Sequence, residues 1–184
     1  MTPVKDSYCS YCGTAYALPL RYPRTCTACK TQVWSNPIPV SVVLVPVVQN
    51  GRTGLLVVRR AIEPKIGKLG IVGGFLEDTE TCAEGGVREI VEETGVVVDA
   101  RTLSPFWFTS TEPRPNRVLL FSIAEPIDAS RLGTFTQNKE TSERGLVFGP
   151  GGLDAVFAFP LHAEAARRFF AARGITGEHA YVTA

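Results

Sequence analysis

The chain has no apolar run of membrane-spanning length, so no membrane partner is expected. Its first ten residues, MTPVKDSYCS, lack the apolar core of a secretory signal, and a cytoplasmic location is expected. Charge of one sign is also missing. The formal net charge is +1, which argues against a broad nucleic-acid surface. There is no internal repeat and no low-complexity stretch. The only histidines, His162 and His179, read as helix-end and tail residues rather than catalysts. What is present is a hydrophobic content of 45 % over 184 residues, enough for one packed domain plus a small module.

A disulfide framework is not expected in an unsecreted chain of this size, and the spacing of the five cysteines says more than their number. Four of them form two pairs, Cys9-x2-Cys12 and Cys26-x2-Cys29, thirteen residues apart. Each pair can turn two thiolates toward one centre, and two turns complete a tetrahedron. That pattern predicts a structural Zn2+ site, closed by four sulfurs and therefore without an open catalytic position. A segment of this length cannot build an adequate core, so metal binding would supply its folding energy. Residues 1–35 thus read as a zinc ribbon. Tyr8, Tyr11, Tyr16, Tyr22 and Trp34 crowd it and read as its cover, with a stacking or partner surface as the alternative. The fifth cysteine, Cys82, reads as a buried filler.

The chemistry lies in Gly74 to Val96, GFLEDTETCAEGGVREIVEETGV. Thr81 followed by Glu84 is a capping-box spacing, which predicts a helix beginning after Thr81. Gly95 stands where a left-handed residue would end it. On that helix Glu89, Glu92 and Glu93 share a face. Like charges ~5 Å apart cost about 3 kcal/mol per pair at an effective dielectric of ~20. A helix selected for stability alone would alternate signs. The cluster becomes sensible if hard divalent cations, Mg2+ or Mn2+, lie against it.

The stretch fits G-x5-E-x7-R-E-U-x-E-E-x-G-U through Gly74, Glu80, Arg88, Glu89, Ile90, Glu92, Glu93, Gly95 and Val96, with U a bulky apolar residue. It resembles the signature of the Nudix hydrolases. A ribbon followed by such a domain, joined through Asn36-Pro37-Ile38-Pro39-Val40, is similar to the NADH pyrophosphatases and to some FAD or ADP-ribose pyrophosphatases. The resemblance implies an α/β fold, the Nudix α/β/α sandwich with a mixed sheet, over about residues 38–170 of a domain running 38–184. It implies Mg2+- or Mn2+-dependent hydrolysis of a nucleoside diphosphate derivative to a nucleoside monophosphate and a phosphorylated product. NADH, FAD and ADP-ribose are the substrate candidates, with nucleoside triphosphates and capped RNA left open, and a homodimer left open too. The contrasting expectation is a module that senses nucleotides, or binds nucleic acid or protein through the ribbon, and hydrolyses nothing.

By the same resemblance Glu89 and Glu93 are metal ligands, with Glu92 a third ligand or its neighbour and the Gly73 carbonyl joining the shell. Arg88 holds the Glu92 carboxylate, and Glu80 braces Arg88 or meets metal through water. A further carboxylate, Glu140 or Glu143, is expected from the polar loop Gln137–Arg144, either as ligand or as general base. Two family features are altered. Leu69, Ile71 and Val72 stand where many relatives carry Trp, then Leu-Pro. Around Ser110 to Asn116 the Gln-Pro-Trp core of the NADH pyrophosphatases is missing, although Ser110 and two prolines remain.

Elsewhere, Val40 to Val48 reads as one central strand, and Asn50-Gly51 as a hairpin turn leading to a strand over Thr53 to Arg60. Short strands are expected at Val97–Val98, Leu103–Thr109 and Val118–Ala124, and a helix at His162–Arg173. The tail from Ile175 carries no signal.

Overall fold

A computed structural model describes residues 5–112 and 116–184. The chain divides into two compact units, Met1–Pro37 and Ile38–Ala184. In the first, β1 (Arg24–Thr25) pairs antiparallel with β2 (Gln32–Val33). Of two matching turns, one precedes this pair and the other joins its strands. Gly13 N donates to Cys9 O and Lys30 N donates to Cys26 O, with both donor residues at positive φ. Arg24 lies between the rings of Tyr16 and Tyr22, whereas Tyr8, Tyr11 and Trp34, expected to cover the unit, are exposed.

The second unit contains two mixed sheets. β3 (Ile38–Leu44) pairs parallel with β9 (Arg117–Ile123) and antiparallel with β7 (Gly73–Phe75). β8 (Ser104–Ser110) lies on the outer side of β9. The strands of the other sheet are, in spatial order, β10 (Ile127–Asp128), β4 (Pro46–Gln49), β5 (Arg52–Arg60), β11 (Thr141–Phe148) and β12 (Ala180–Thr183), with β6 (Leu69–Gly70) beside β5. Among the described residues three α-helices complete the unit: α1 (Cys82–Thr94), α2 (Leu153–Val156) and α3 (Pro160–Ala171).

The single strand expected over Val40 to Val48 is two strands in different sheets. Pro46 has no N–H for a ladder, and the chain changes sheet at Val45. Alternation along these strands divides the core in two. Val42, Leu44, Leu55 and Val57 pack with Phe169 and Phe170 of α3. Val43, Val45, Leu56 and Val58 pack with Ile90 of α1. Helices therefore cover opposite faces, which is the expected α/β/α sandwich.

The hairpin at Asn50-Gly51 forms with both residues at positive φ, and the capping box of Thr81 and Glu84 is complete. Val97–Val98 is not a strand: Val96 and Val98 pack into the core and Val97 is exposed, with no ladder beside them. The tail is structured, because β12 pairs antiparallel with β11. Pro113, Arg114 and Pro115, within the stretch compared with NADH pyrophosphatases, lie outside the described residues.

Glycines inside α1 have a packing cause. A Cβ on Gly86 would stand 2.6 Å from Val43 Cγ2 and 3.0 Å from Ser41 Oγ. Ser41 Oγ in turn donates to Cys82 O, tying the first turn of α1 to β3. Gly86→Val is expected to lower stability by about 1–3 kcal/mol through overpacking, and urea unfolding reads it; an unchanged midpoint would mean the helix has room to move.

Candidate active site

Arg88 is the hub of the helix face. Its Nε donates to Glu80 Oε2 (3.0 Å) and its Nη2 to Glu80 Oε1 (2.7 Å). Its Nη2 also donates to the Phe75 carbonyl (3.0 Å), and its Nη1 to Glu89 Oε1 (2.8 Å) and Glu92 Oε2 (3.3 Å). All five guanidinium donors have a direction. The expected Arg88–Glu92 contact is the longest of the set, and the main brace is the bidentate pair with Glu80. That pairing, helped by the Glu77 N–H, holds the Glu80 carboxyl down at about 2.

The three helix glutamates part company. Glu92 is 59 % exposed, whereas Glu89 and Glu93 turn inward beside β7. Glu93 Oε2 accepts from Gly73 N at 3.1 Å. A Cβ on Gly74 would fall 2.2 Å from Glu89 Oε1. Gly73 itself has φ 155, and a Cβ there would stand 2.3 Å from Ser41 O. Backbone without side chains is thus required on the strand that faces the carboxylates.

Burial raises the Glu89 carboxyl above its usual range, against the lowering effect of Arg88. Burial also pushes Glu93 up to about 8, opposed by the Gly73 N–H and reinforced by the negative charges of Glu89 and Glu140. Mutual repulsion in a low-dielectric setting is what a bound cation would relieve, so this donor set fits a divalent metal. Among the described residues the glutamate oxygens do not close into a tight cluster as the cysteine sulfurs do.

Of the two loop glutamates, Glu140 is the one whose field reaches Glu89 and Glu93. Glu143, expected at the site, belongs to β11 instead. It pairs with Arg59 Nε at 2.6 Å and accepts from Thr183 Oγ1, and these bonds hold its carboxyl low. The strand begins at Thr141, so Glu143 is committed to the sheet and its partners.

Asn138 was missed by sequence reasoning. Its Oδ1 accepts from Glu140 N and Thr141 N, while its Nδ2 donates to the Glu92 carbonyl at 2.8 Å. It therefore shapes the loop and ties it to α1; an Asx-turn signal at Asn138-x-x-Thr141 was its only trace. His162 was also undervalued. Its Nδ1 accepts from Ile71 N at 3.1 Å in the buried run before the glycines, and burial keeps the ring neutral, with a pKa of about 4.

In the N-terminal unit the four cysteine Sγ atoms lie within 4.8 Å of one another. Cys9–Cys29 is 3.8 Å and Cys12–Cys26 is 3.6 Å. Tetrahedral metal–sulfur bonds of ~2.3 Å require sulfur–sulfur edges of ~3.8 Å, so the cluster matches the ribbon expected.

The NUDIX domain family matches residues 38–171. This chain belongs to the Nudix family. Its fold is similar to that of a NUDIX hydrolase from Nitrosomonas europaea, with a TM-score of 0.61 and 20 % identity over 94 % of this chain and 96 % of that one. The NUDIX domain of Shewanella oneidensis NrtR, crystallised with ADP ribose, matches with a TM-score of 0.60 and 17 % identity over 76 % of this chain and 90 % of that one. A MutT/nudix family protein from Enterococcus faecalis matches with a TM-score of 0.55 and 19 % identity; the match covers 62 % of this chain and spans only 44 % of that protein's length. The matched domain follows the four-cysteine unit in the chain.

Glu93 dictates a pH dependence in the metal-free Nudix domain. Its folded pKa, about 8, lies above the ordinary carboxyl value. The folded state then holds the proton that the unfolded state has lost, so stability falls as pH rises from about 5 to 8. The slope should approach ~1.4 kcal/mol per pH unit from this group alone. Chemical unfolding across that range, in buffer without divalent cations, should show the slope in the wild type and its loss in Glu93→Gln.

Proposed function

We propose that this Nudix domain hydrolyses the pyrophosphate bond of a nucleoside diphosphate joined to a second group. ADP-ribose, FAD and NADH are the candidate class, and ADP ribose is the ligand bound to the NrtR domain of similar fold. The observation that carries the reading is the inward pair Glu89 and Glu93, held against the bare backbone of Gly73–Gly74.

Glu89 and Glu93 would hold Mg2+ or Mn2+, with Glu92 and the Gly73 carbonyl as further oxygen donors. When bound, such an ion neutralises phosphate charge and lowers the pKa of a water. The chain's own groups do the rest. Arg88 fixes Glu89 by a charge-assisted bond and is itself fixed by Glu80. Glu93, which turns inward to the Gly73 N–H, would serve as metal ligand or as the carboxylate that takes the proton from water. Glu140, on the loop that Asn138 ties to α1, adds negative charge facing the same pair. Products would be a nucleoside monophosphate and a phosphorylated remainder. The ribbon would carry structural Zn2+, since four sulfurs leave no position for substrate.

Turnover of NADH, NAD, FAD, ADP-ribose and nucleoside triphosphates, each with Mg2+ and with Mn2+, tests the reading. Glu93→Gln should fold and lose at least ~10²-fold in rate; near-normal turnover in that variant would place the chemistry elsewhere. Elemental analysis of protein purified without chelator should find about one zinc per chain. That zinc should persist in Glu93→Gln and be lost in Cys9→Ser.

A further inference from the structure

A cavity of about 510 Å³ opens far from the glutamate helix. Its lining includes Arg52, Thr53, Phe148, Arg173, Thr176 and Glu178. Arg52 begins β5 and Arg60 ends it, next to the loop of Glu140. Eight residues of strand at ~3.3 Å each separate the two ends by roughly 26 Å. The cavity therefore lies at the opposite end of β5 from the Glu140 loop.

Its charges are arranged in an unusual way. Arg52 lies over the Phe148 ring at 4.7 Å, and Arg173 lies over the Phe169 ring at 4.0 Å. Arg173 makes one long bond, to the Phe169 carbonyl at 3.3 Å. Among the described residues neither arginine has a carboxylate within ion-pair distance, although Glu178 lines the same space. Two guanidiniums are thus oriented by aromatic faces while their N–H edges stay available, and a carboxylate waits apart from them.

The wall on the Glu178 side is backbone held by hydrogen bonds. Gly151 N donates to Gly177 O at 2.9 Å, and His179 N donates to Gly151 O at 3.2 Å. Gly149, at φ +91, is pressed so close that a Cβ would stand 2.6 Å from Glu178 O. This accounts for the run Gly149-Pro150-Gly151-Gly152, which the hydrolytic site does not use.

We propose that this cavity binds a small phosphate monoester carrying vicinal hydroxyls, such as a ribose 5-phosphate unit. Arg52 and Arg173 hold the phosphate by charge-assisted bonds, Thr53 and Thr176 add hydroxyl donors, and Glu178 accepts from the sugar hydroxyls. A free sugar phosphate and a nucleoside monophosphate present this same chemistry.

Calorimetric titration of the full-length chain with ribose 5-phosphate, in buffer without divalent cations, tests the site without requiring turnover. One saturable site per chain is expected. Arg52→Gln combined with Arg173→Gln should weaken it at least ~10-fold. Glu178→Gln should weaken ribose 5-phosphate but leave inorganic phosphate binding unchanged. AMP in a parallel arm distinguishes the source: equal binding assigns the nucleotide, exclusion of AMP assigns the free sugar phosphate. If the double variant does not fold, Arg52→Gln alone carries the test, because among the described residues its guanidinium contacts the Phe148 ring and no carboxylate. No saturable binding up to ~1 mM, binding that survives loss of the arginines, or binding lost in Glu93→Gln with both arginines intact would overturn the assignment. Failure of the hydrolysis assays would leave these titrations unaffected.

Discussion

The site depends on how closely one helix can approach one strand. At Gly73, Gly74 and Gly86 an added methyl group would meet an atom within 3 Å. Their absence of side chains lets α1 lie against β3 and β7, with Glu89 and Glu93 turned into the gap. A wider spacing would let water solvate both carboxylates, and their mutual repulsion and raised pKa values would disappear. The glycines therefore set the electrostatics as well as the packing.

Such an arrangement is costly on its own, because partly buried like charges oppose folding. Arg88 offsets part of this by engaging Glu80, Glu89 and Glu92 at once. Its strongest partner is Glu80, which lies outside the helix, so the loop before α1 is fastened to the helix face. The arginine restrains Glu89 but makes no hydrogen bond to Glu93. The charge left uncompensated is on the inward side, where a divalent cation would be most stabilised.

The far end of α1 is held by another arginine. No basic residue stands in its last turn. Arg144, 1 % exposed on β11, donates to the Thr94, Leu132, Gly133 and Ala184 carbonyls. It supplies the positive charge that a helix C-terminus favours, from across the fold. In sequence this arginine looked like the end of a polar turn. Only the pairing of β11 between β5 and β12 buries it.

Local patterns were legible because their causes are local. The caps of α1, the Asn50-Gly51 turn, the cysteine pairs and the order of the helix glutamates all follow from spacing within a few residues. Glu89, Glu92 and Glu93 were visible as one acidic face, and Arg88 and Glu80 as its companions. Their separate fates were not. Whether a carboxylate turns inward depends on β7, which reaches α1 only through its pairing with β3. The break at Val45, the strand in the tail, the commitment of Glu143 to Arg59 and the approach of Glu140 likewise depend on partners distant in the chain. Spacing along the backbone determines which groups can act together; burial beside remote segments decides which of them carry charge, because solvation is a property of the packed whole.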